Sequence, residues 1–255
     1  MLQVGPLRLN AYGAMIALGV VAAVSLTGRR LEKRGAGTRE DISAIAMWGV
    51  PAGVIGARLY HVVTDWELFS DHPERIVQIW KGGLGIWGGI LLGVVIGVWE
   101  GRRRGISTAT LLTCVAPALP LAQSIGRWGN WFNQELFGRP TTLPWGLEVS
   151  EFHARQSGYP IGTLFHPTFL YESLACLALC GILLLIDKVE KRQGFLFAYY
   201  TAGYTLFRFF NEGLRIDPAH SAGGLRLNQW VSIVVFVISV AVLLKPQRRQ
   251  SDLTA

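Results

Sequence analysis

The chain has 255 residues, of which 51% are apolar and only 16% charged, with a formal net charge of +7. That charged share falls well below the roughly 25% of soluble domains, and with a mean hydropathy of +0.34 it places most of the chain in lipid. Three cysteines, Cys114, Cys176 and Cys180, lie inside apolar runs, which excludes a disulfide framework and metal-ligand spacing, and the basic balance lacks the aromatic-basic motif of a nucleic-acid binder.

Charge-poor runs predict an all-α polytopic membrane protein of seven transmembrane helices in a single integral membrane domain spanning 1–255. A span of about 20 residues crosses the roughly 30 Å hydrocarbon core. The first helix is expected over 9–28, ending at the cluster RRLEKRGAGTR, which acts as a stop-transfer signal and makes the segment an anchor rather than a cleaved signal peptide. The second runs over 42–63 through Arg58 and His61, which either pair internally or snorkel to the surface. The third covers 82–99 and begins in KGGLGIWGG; the fourth covers 105–126 and is interrupted by Pro117 and Pro120. A polar stretch, about 127–166, is too hydrophilic to span and forms a small cap on the outer face. The fifth helix, 167–186, opens with HPTFLYE and carries Glu172; the sixth, 193–211, carries Arg208; the seventh is 227–244. Arg58, Glu172 and Arg208 are thereby expected at or near membrane depth.

The basic residues are distributed unevenly. Loops after the first, third, fifth and seventh helices hold five, three, three and three Lys or Arg, 14 of the 24 in the chain. Positive charge stays on the cytoplasmic side, so the N-terminus is expected outside and the C-terminus inside. The anionic inner leaflet then accounts for the net charge.

Four strings at the expected outer surface carry the chemistry: LNAYGAM at 9–15, KGGLGIWGG at 81–89, GRWGNWFNQELFGRP at 126–140 with HPTFLYE at 166–172, and YTLFRFFNEGLR at 204–215. The third offers glycines for close backbone approach, asparagines as mixed donors and acceptors, and Arg127 and Glu135 as charges, a set that suits an anion. A turn with Trp128 and Trp131 in the interfacial belt is the plainer alternative. In the fourth, Tyr204, Arg208, Glu212 and Arg215 follow at spacings of four, four and three, one helical face. Two arginines from separate helices would clamp a lipid phosphate, because guanidinium matches phosphate oxygens in a bidentate fork; a simple Arg208 to Glu212 pair is the competing reading. Tyr12 by itself reads as an interface anchor and His166 as a helix cap.

With these strings together the chain resembles the prolipoprotein diacylglyceryl transferase family, through GRWGNWFNQELFG, HPTFLYE, RFFNEGLR and the N-terminal AYG. The resemblance implies a multi-pass enzyme of the bacterial inner membrane. It transfers the diacylglyceryl group of phosphatidylglycerol to the lipobox cysteine of a preprolipoprotein signal peptide, forms a thioether, releases glycerol 1-phosphate and uses no cofactor. It also implies essential roles for Tyr12, Arg127, Asn130, Glu135, Gly138, Arg208 and Glu212, with Tyr204 and Arg215 beside them. The family's histidine in its GGxxxHGG string is replaced here by Trp87, whose indole cannot accept a proton and can only shape a pocket. Glu135 or Glu212 is then the first choice for any base, His166 the second and His61 the third. A transporter for an anionic metabolite is the rival reading, weakened because only one helix is proline-broken. Neither a protease serine motif nor an intramembrane aspartate pair is present.

Overall fold

A computed structural model describes residues 2–4, 7–9, 11–217, 219 and 221–245, the side chains of the first ten residues and of Lys81 excepted. Asn10 of LNAYGAM and the end of the KPQRR run lie outside the described residues. In chain order the elements are β1 (Leu2–Val4), β2 (Leu7–Leu9), α1 (Ala11–Lys33), α2 (Arg39–Thr64), three 3-10 turns at Trp66–Leu68, Pro73–Val77 and Ile79–Lys81, α3 (Ile86–Arg103), α4 (Thr108–Val115), α5 (Ala118–Asn133), β3 (Leu147–Glu148), α6 (Glu151–Gln156), β4 (Leu164–Phe165), α7 (Thr168–Ile186), α8 (Phe195–Leu214), β5 (Ser221–Ala222), β6 (Leu225–Arg226) and α9 (Leu227–Leu243). The strands pair only as three short antiparallel two-stranded ribbons, so the protein is mainly helical.

Three helices, α1, α2 and α7, are long and apolar enough to cross a membrane, and α4 with α5 forms a fourth candidate as a broken span. The helix expected over 105–126 is thus two helices. Pro117 lacks the N–H that would continue the α4 ladder, and α5 then runs on to Asn133. The string from Gly126 is therefore helical where a cap was expected, and the cap begins only after Gln134.

The chain divides into two compact units, residues 24–114 and residues 1–23 with 115–255. In the first, a capping box starts α2: Asp41 N–H donates to Thr38 Oγ1 at 3.2 Å and Thr38 N–H to Asp41 Oδ2 at 2.9 Å. α2 lies on α3 along a seam of glycines in which Gly53 and Gly89 each face the other's carbonyl, as do Gly56 and Gly88. Small residues there let two helices approach backbone to backbone, the packing preferred in lipid. Arg58 is buried in this unit and donates to the carbonyls of Ile76 at 2.8 Å, Gly82 at 2.8 Å, Gly83 at 2.9 Å and Arg75 at 2.5 Å. It pins the loop after α2, the structural alternative allowed from the sequence.

In the second unit α5, α7 and α8 surround a core of Ala116, Leu183, Leu196 and Tyr200. Ser124 and Ser173 join α5 to α7, with hydroxyls 3.1 Å apart. Thr201 and Ser239 join α8 to α9 at 2.7 Å. The cap has its own core of Phe137, Val149, Ala154 and Phe165, with Phe165 fully enclosed.

Candidate active site

The site grows from one face of α5. Ser124, Arg127 and Asn130 recur every three residues and so point the same way. After Asn133 the chain folds back on itself: Gln134 at φ 49° and Leu136 at φ 60° occupy the left-handed region, uncommon for non-glycine residues. This reversal returns Glu135 to α5, where its backbone N–H donates to the Asn130 carbonyl at 3.1 Å and its Oε1 accepts from Asn130 Nδ2 at 2.8 Å. Asn130 Oδ1 accepts from Arg127 Nη1 at 3.2 Å. Holding α7 against this turn, Thr168 Oγ1 donates to the Leu136 carbonyl.

Glu172, on α7, is the centre of the arrangement and is 2% exposed. Its Oε1 accepts from Arg127 Nη2 at 2.7 Å and Tyr204 Oη at 3.0 Å; its Oε2 accepts from Arg208 Nη1 at 3.0 Å and Asn211 Nδ2 at 3.1 Å. Arg127 and Arg208, one from α5 and one from α8, therefore meet on the two oxygens of one carboxylate. Asn211 Oδ1 is buried beside this group without a hydrogen-bond partner.

A second carboxylate continues the network. Glu212, 0% exposed, pairs with Arg208 at 2.6 Å, Arg215 at 3.3 Å and Arg226 at 3.0 Å, and accepts from Asn228 at 3.2 Å. The Arg226 Nε contact has the distance of an ion pair without the alignment of a hydrogen bond. Three guanidiniums surround this acid, an arrangement that suits it to fix the arginines. Arg215 and Arg226 both also bind Asp217, in the loop after α8, at 2.7 and 2.9 Å. Burial acts to raise the Asp217 pKa, but the two guanidiniums outweigh it and hold the carboxyl below its ordinary value.

The remaining expected residues have definite places. The Tyr12 ring packs on the α5 backbone at Gly129, where a Cβ would come within 2.7 Å of it, so only glycine admits the tyrosine beside Asn130. Gly138 donates its N–H to the His166 carbonyl at 2.9 Å and bridges to Arg215. A Cβ there would lie 2.9 Å from the His166 side chain and 3.0 Å from Thr168, so glycine again permits the approach. His166 Nδ1 lies 3.0 Å from Tyr171 Oη, which also accepts from Trp145 at 2.9 Å, so His166 is tied to the cap. Trp87 belongs to the other unit, where it stands in the first turn of α3 and is 47% exposed. His61 is in that unit too, paired with Asp65 at 2.9 Å. Among the described residues no group of three or more His, Cys, Asp or Glu could hold a metal ion. Glu172, expected from the sequence only as a charge at or near membrane depth, is the centre of the arrangement, and no local signal in the sequence singles out Asn211, Asp217 or Arg226.

Glu135 also lines a cavity of about 470 Å³ with Gln134, Phe137, His153, Ile216 and Asp217. A carboxylate open to a cavity stands one amide away from a pair of guanidiniums, an arrangement able to stabilise an anionic leaving group and to take up a proton at a neighbouring position.

Comparison with known proteins agrees along the length of the chain. The family model described as Prolipoprotein diacylglyceryl transferase matches residues 1–245. The chain is 49% identical over 253 residues to phosphatidylglycerol--prolipoprotein diacylglyceryl transferase 2 of Streptomyces coelicolor, covering 97% of this chain and 79% of that relative. It is 46% identical over 250 residues to the transferase of Streptomyces griseus, with coverages of 95% and 74%, and 45% identical over 272 residues to that of Mycobacteroides abscessus, with coverages of 99% and 78%. Matched in this way over nearly its whole length, the chain belongs to the prolipoprotein diacylglyceryl transferase family.

Proposed function

We propose that this membrane enzyme transfers the diacylglyceryl group of phosphatidylglycerol to a prolipoprotein, the first step of lipoprotein lipidation, with Arg127 and Arg208 holding the lipid phosphate. The observation that carries the site assignment is the convergence of these two arginines, from α5 and α8, on the two oxygens of Glu172. Two planar forks aimed at one pair of oxygens are equally suited to a phosphodiester.

The acceptor is the thiol of the lipobox cysteine. Its sulfur attacks the glycerol carbon that bears the phosphate ester, the carbon–sulfur bond forms, the carbon–oxygen bond breaks, and glycerol 1-phosphate leaves with the electron pair. Charge grows on the leaving phosphate, and Arg127 and Arg208 stabilise it more strongly in a water-poor site than they would in bulk. A thiol of pKa about 8.5 is partly ionised near neutrality and more so beside guanidiniums; its proton passes to Glu135, whose carboxylate lines the cavity, or to water there. Glu212 fixes Arg208, Arg215 and Arg226. Tyr12, Asn130 and Gly138 position the α5 face and the turn that follows it, and His166 orders the cap through Tyr171.

In the membrane we place seven spans, with the broken α4 and α5 pair as one and α3, α8 and α9 completing the set, in the bacterial inner membrane with the N-terminus outside. A transporter is not favoured, because the relatives all carry transferase names.

Purified protein incubated with labelled phosphatidylglycerol and a lipobox peptide is expected to give a thioether product and glycerol 1-phosphate, and none with a serine in place of the peptide cysteine. An Arg127→Ala or Arg208→Ala variant that lipidated the peptide at the wild-type rate would defeat the assignment.

A further inference from the structure

Glu172 stands where the phosphate would be gripped, and a carboxylate at that position would ordinarily weaken anion binding. Resting on the transferase reading above, we propose that Glu172 is a resident counter-anion that sets the charge of the phosphate site, so that the diester substrate is held and the monoester product is let go.

The argument is one of charge matching. Arg127, Arg208, Arg215 and Arg226 are in direct ion-pair contact with Glu172, Glu212 and Asp217, four guanidiniums against three carboxylates, a net of +1. The phosphodiester of phosphatidylglycerol carries a single negative charge and balances it. Cleavage of the carbon–oxygen bond converts the diester into a monoester whose charge near neutrality is about −1.5 to −2. The product then exceeds the site by as much as one charge and faces the carboxylate of Glu172. Without that carboxylate the site would carry +2 and match the product better than the substrate.

Two features assign this part to Glu172 and not to its neighbours. Its four partners, Arg127, Tyr204, Arg208 and Asn211, include both arginines of the proposed grip, one on each oxygen. Glu212 touches only Arg208 of that pair and spends its other contacts on Arg215, Arg226 and Asn228. Asp217 touches neither. Glu172 is thus a positioning residue that acts through the arginines.

The test compares inhibition of the full-length enzyme by glycerol 1-phosphate, a monoester, and by glycerophosphoglycerol, the diester head group without its acyl chains. Wild-type enzyme is expected to bind the diester at least as well as the monoester. In Glu172→Gln the inhibition constant for glycerol 1-phosphate should fall by about tenfold or more relative to that for the diester, with kcat and KM falling together as product release slows. Glu172→Asp should restore the wild-type preference even if slower. An unchanged preference in Glu172→Gln overturns the proposal, and so does a wild-type enzyme that prefers the monoester, a result that needs no variant to fold. Absence of any thioether product from the wild-type protein would instead remove the transferase reading itself.

Discussion

Arg208 serves two carboxylates at once, Glu172 through Nη1 at 3.0 Å and Glu212 through Nη2 at 2.6 Å. Lysine carries the same charge on one tetrahedral nitrogen and cannot span both with the geometry of a planar fork. Losing one charge-assisted hydrogen bond in an enclosed site costs about 2–3 kcal/mol, so Arg208→Lys is expected to lower kcat/KM by about 30- to 150-fold. A lipidation assay at several phosphatidylglycerol concentrations measures it, and a loss below about threefold would show that charge alone suffices. At this scale the sequence was informative wherever cost is high: an arginine inside an apolar run demands an explanation, and Arg208 stood out for that reason, whereas Arg127 stood out as a charge within a string of glycines and asparagines. Glu172 was visible as an acid at or near membrane depth, but Arg127 and Arg208 lie 45 and 36 positions away from it and nothing local names them. Arg226 lies outside the four strings that carry the chemistry, and only the folded chain brings it to Glu212.

The glycines of α2 and α3 are an element-scale device. A side chain at Gly56 would enter the space of the Gly88 carbonyl, and one at Gly88 that of the Gly56 carbonyl, so neither helix can yield without separating from the other. Gly56→Ala or Gly88→Ala is expected to destabilise the protein by about 1–3 kcal/mol, the range of overpacked cores. Gly181, in α7, provides the contrast: a Cβ there meets nothing within 4 Å, and Gly181→Ala should be neutral or stabilising by up to about 1 kcal/mol. Thermal unfolding in detergent separates the two cases, and equal melting temperatures for all three variants would show that the seam does not hold the pair together. Each of the seven apolar runs overlaps a helix, the fourth being divided between α4 and α5, because a long charge-free segment has few alternatives to helix in lipid. Pro117 and Pro120 foretold an interruption, yet the continuation through GRWGNWFN was hidden. Glycine and asparagine favour turns in water, whereas Gly129 sits within α5 and gives space to Tyr12. The 3-10 turns after α2 were also illegible, since they depend on Arg58 reaching four carbonyls.

For the whole molecule, the decisive quantity is the uneven placement of Lys and Arg, 14 of 24 in the loops assigned to the inner face. Under the proposed orientation, the cap containing α6 and the loop after α7 are expected on opposite sides, with α7 crossing between them. The intrinsic cysteines Cys114, Cys176 and Cys180 are all buried, so an introduced cysteine can be probed over a low background. Gln156 on α6 is exposed, and Val189 after α7 is 76% exposed. In cells with a permeable outer envelope, a membrane-impermeant maleimide should label Gln156→Cys directly and Val189→Cys only after the inner membrane is opened. The reverse pattern would invert the orientation, and direct labelling of both would mean that α7 does not cross. The expected pattern also puts the cavity beside Glu135 on the cap side, because Gln156 lines that cavity too. It would therefore locate the proposed proton acceptor on the outer face, the side from which a lipobox cysteine that has left the cytoplasm would have to approach.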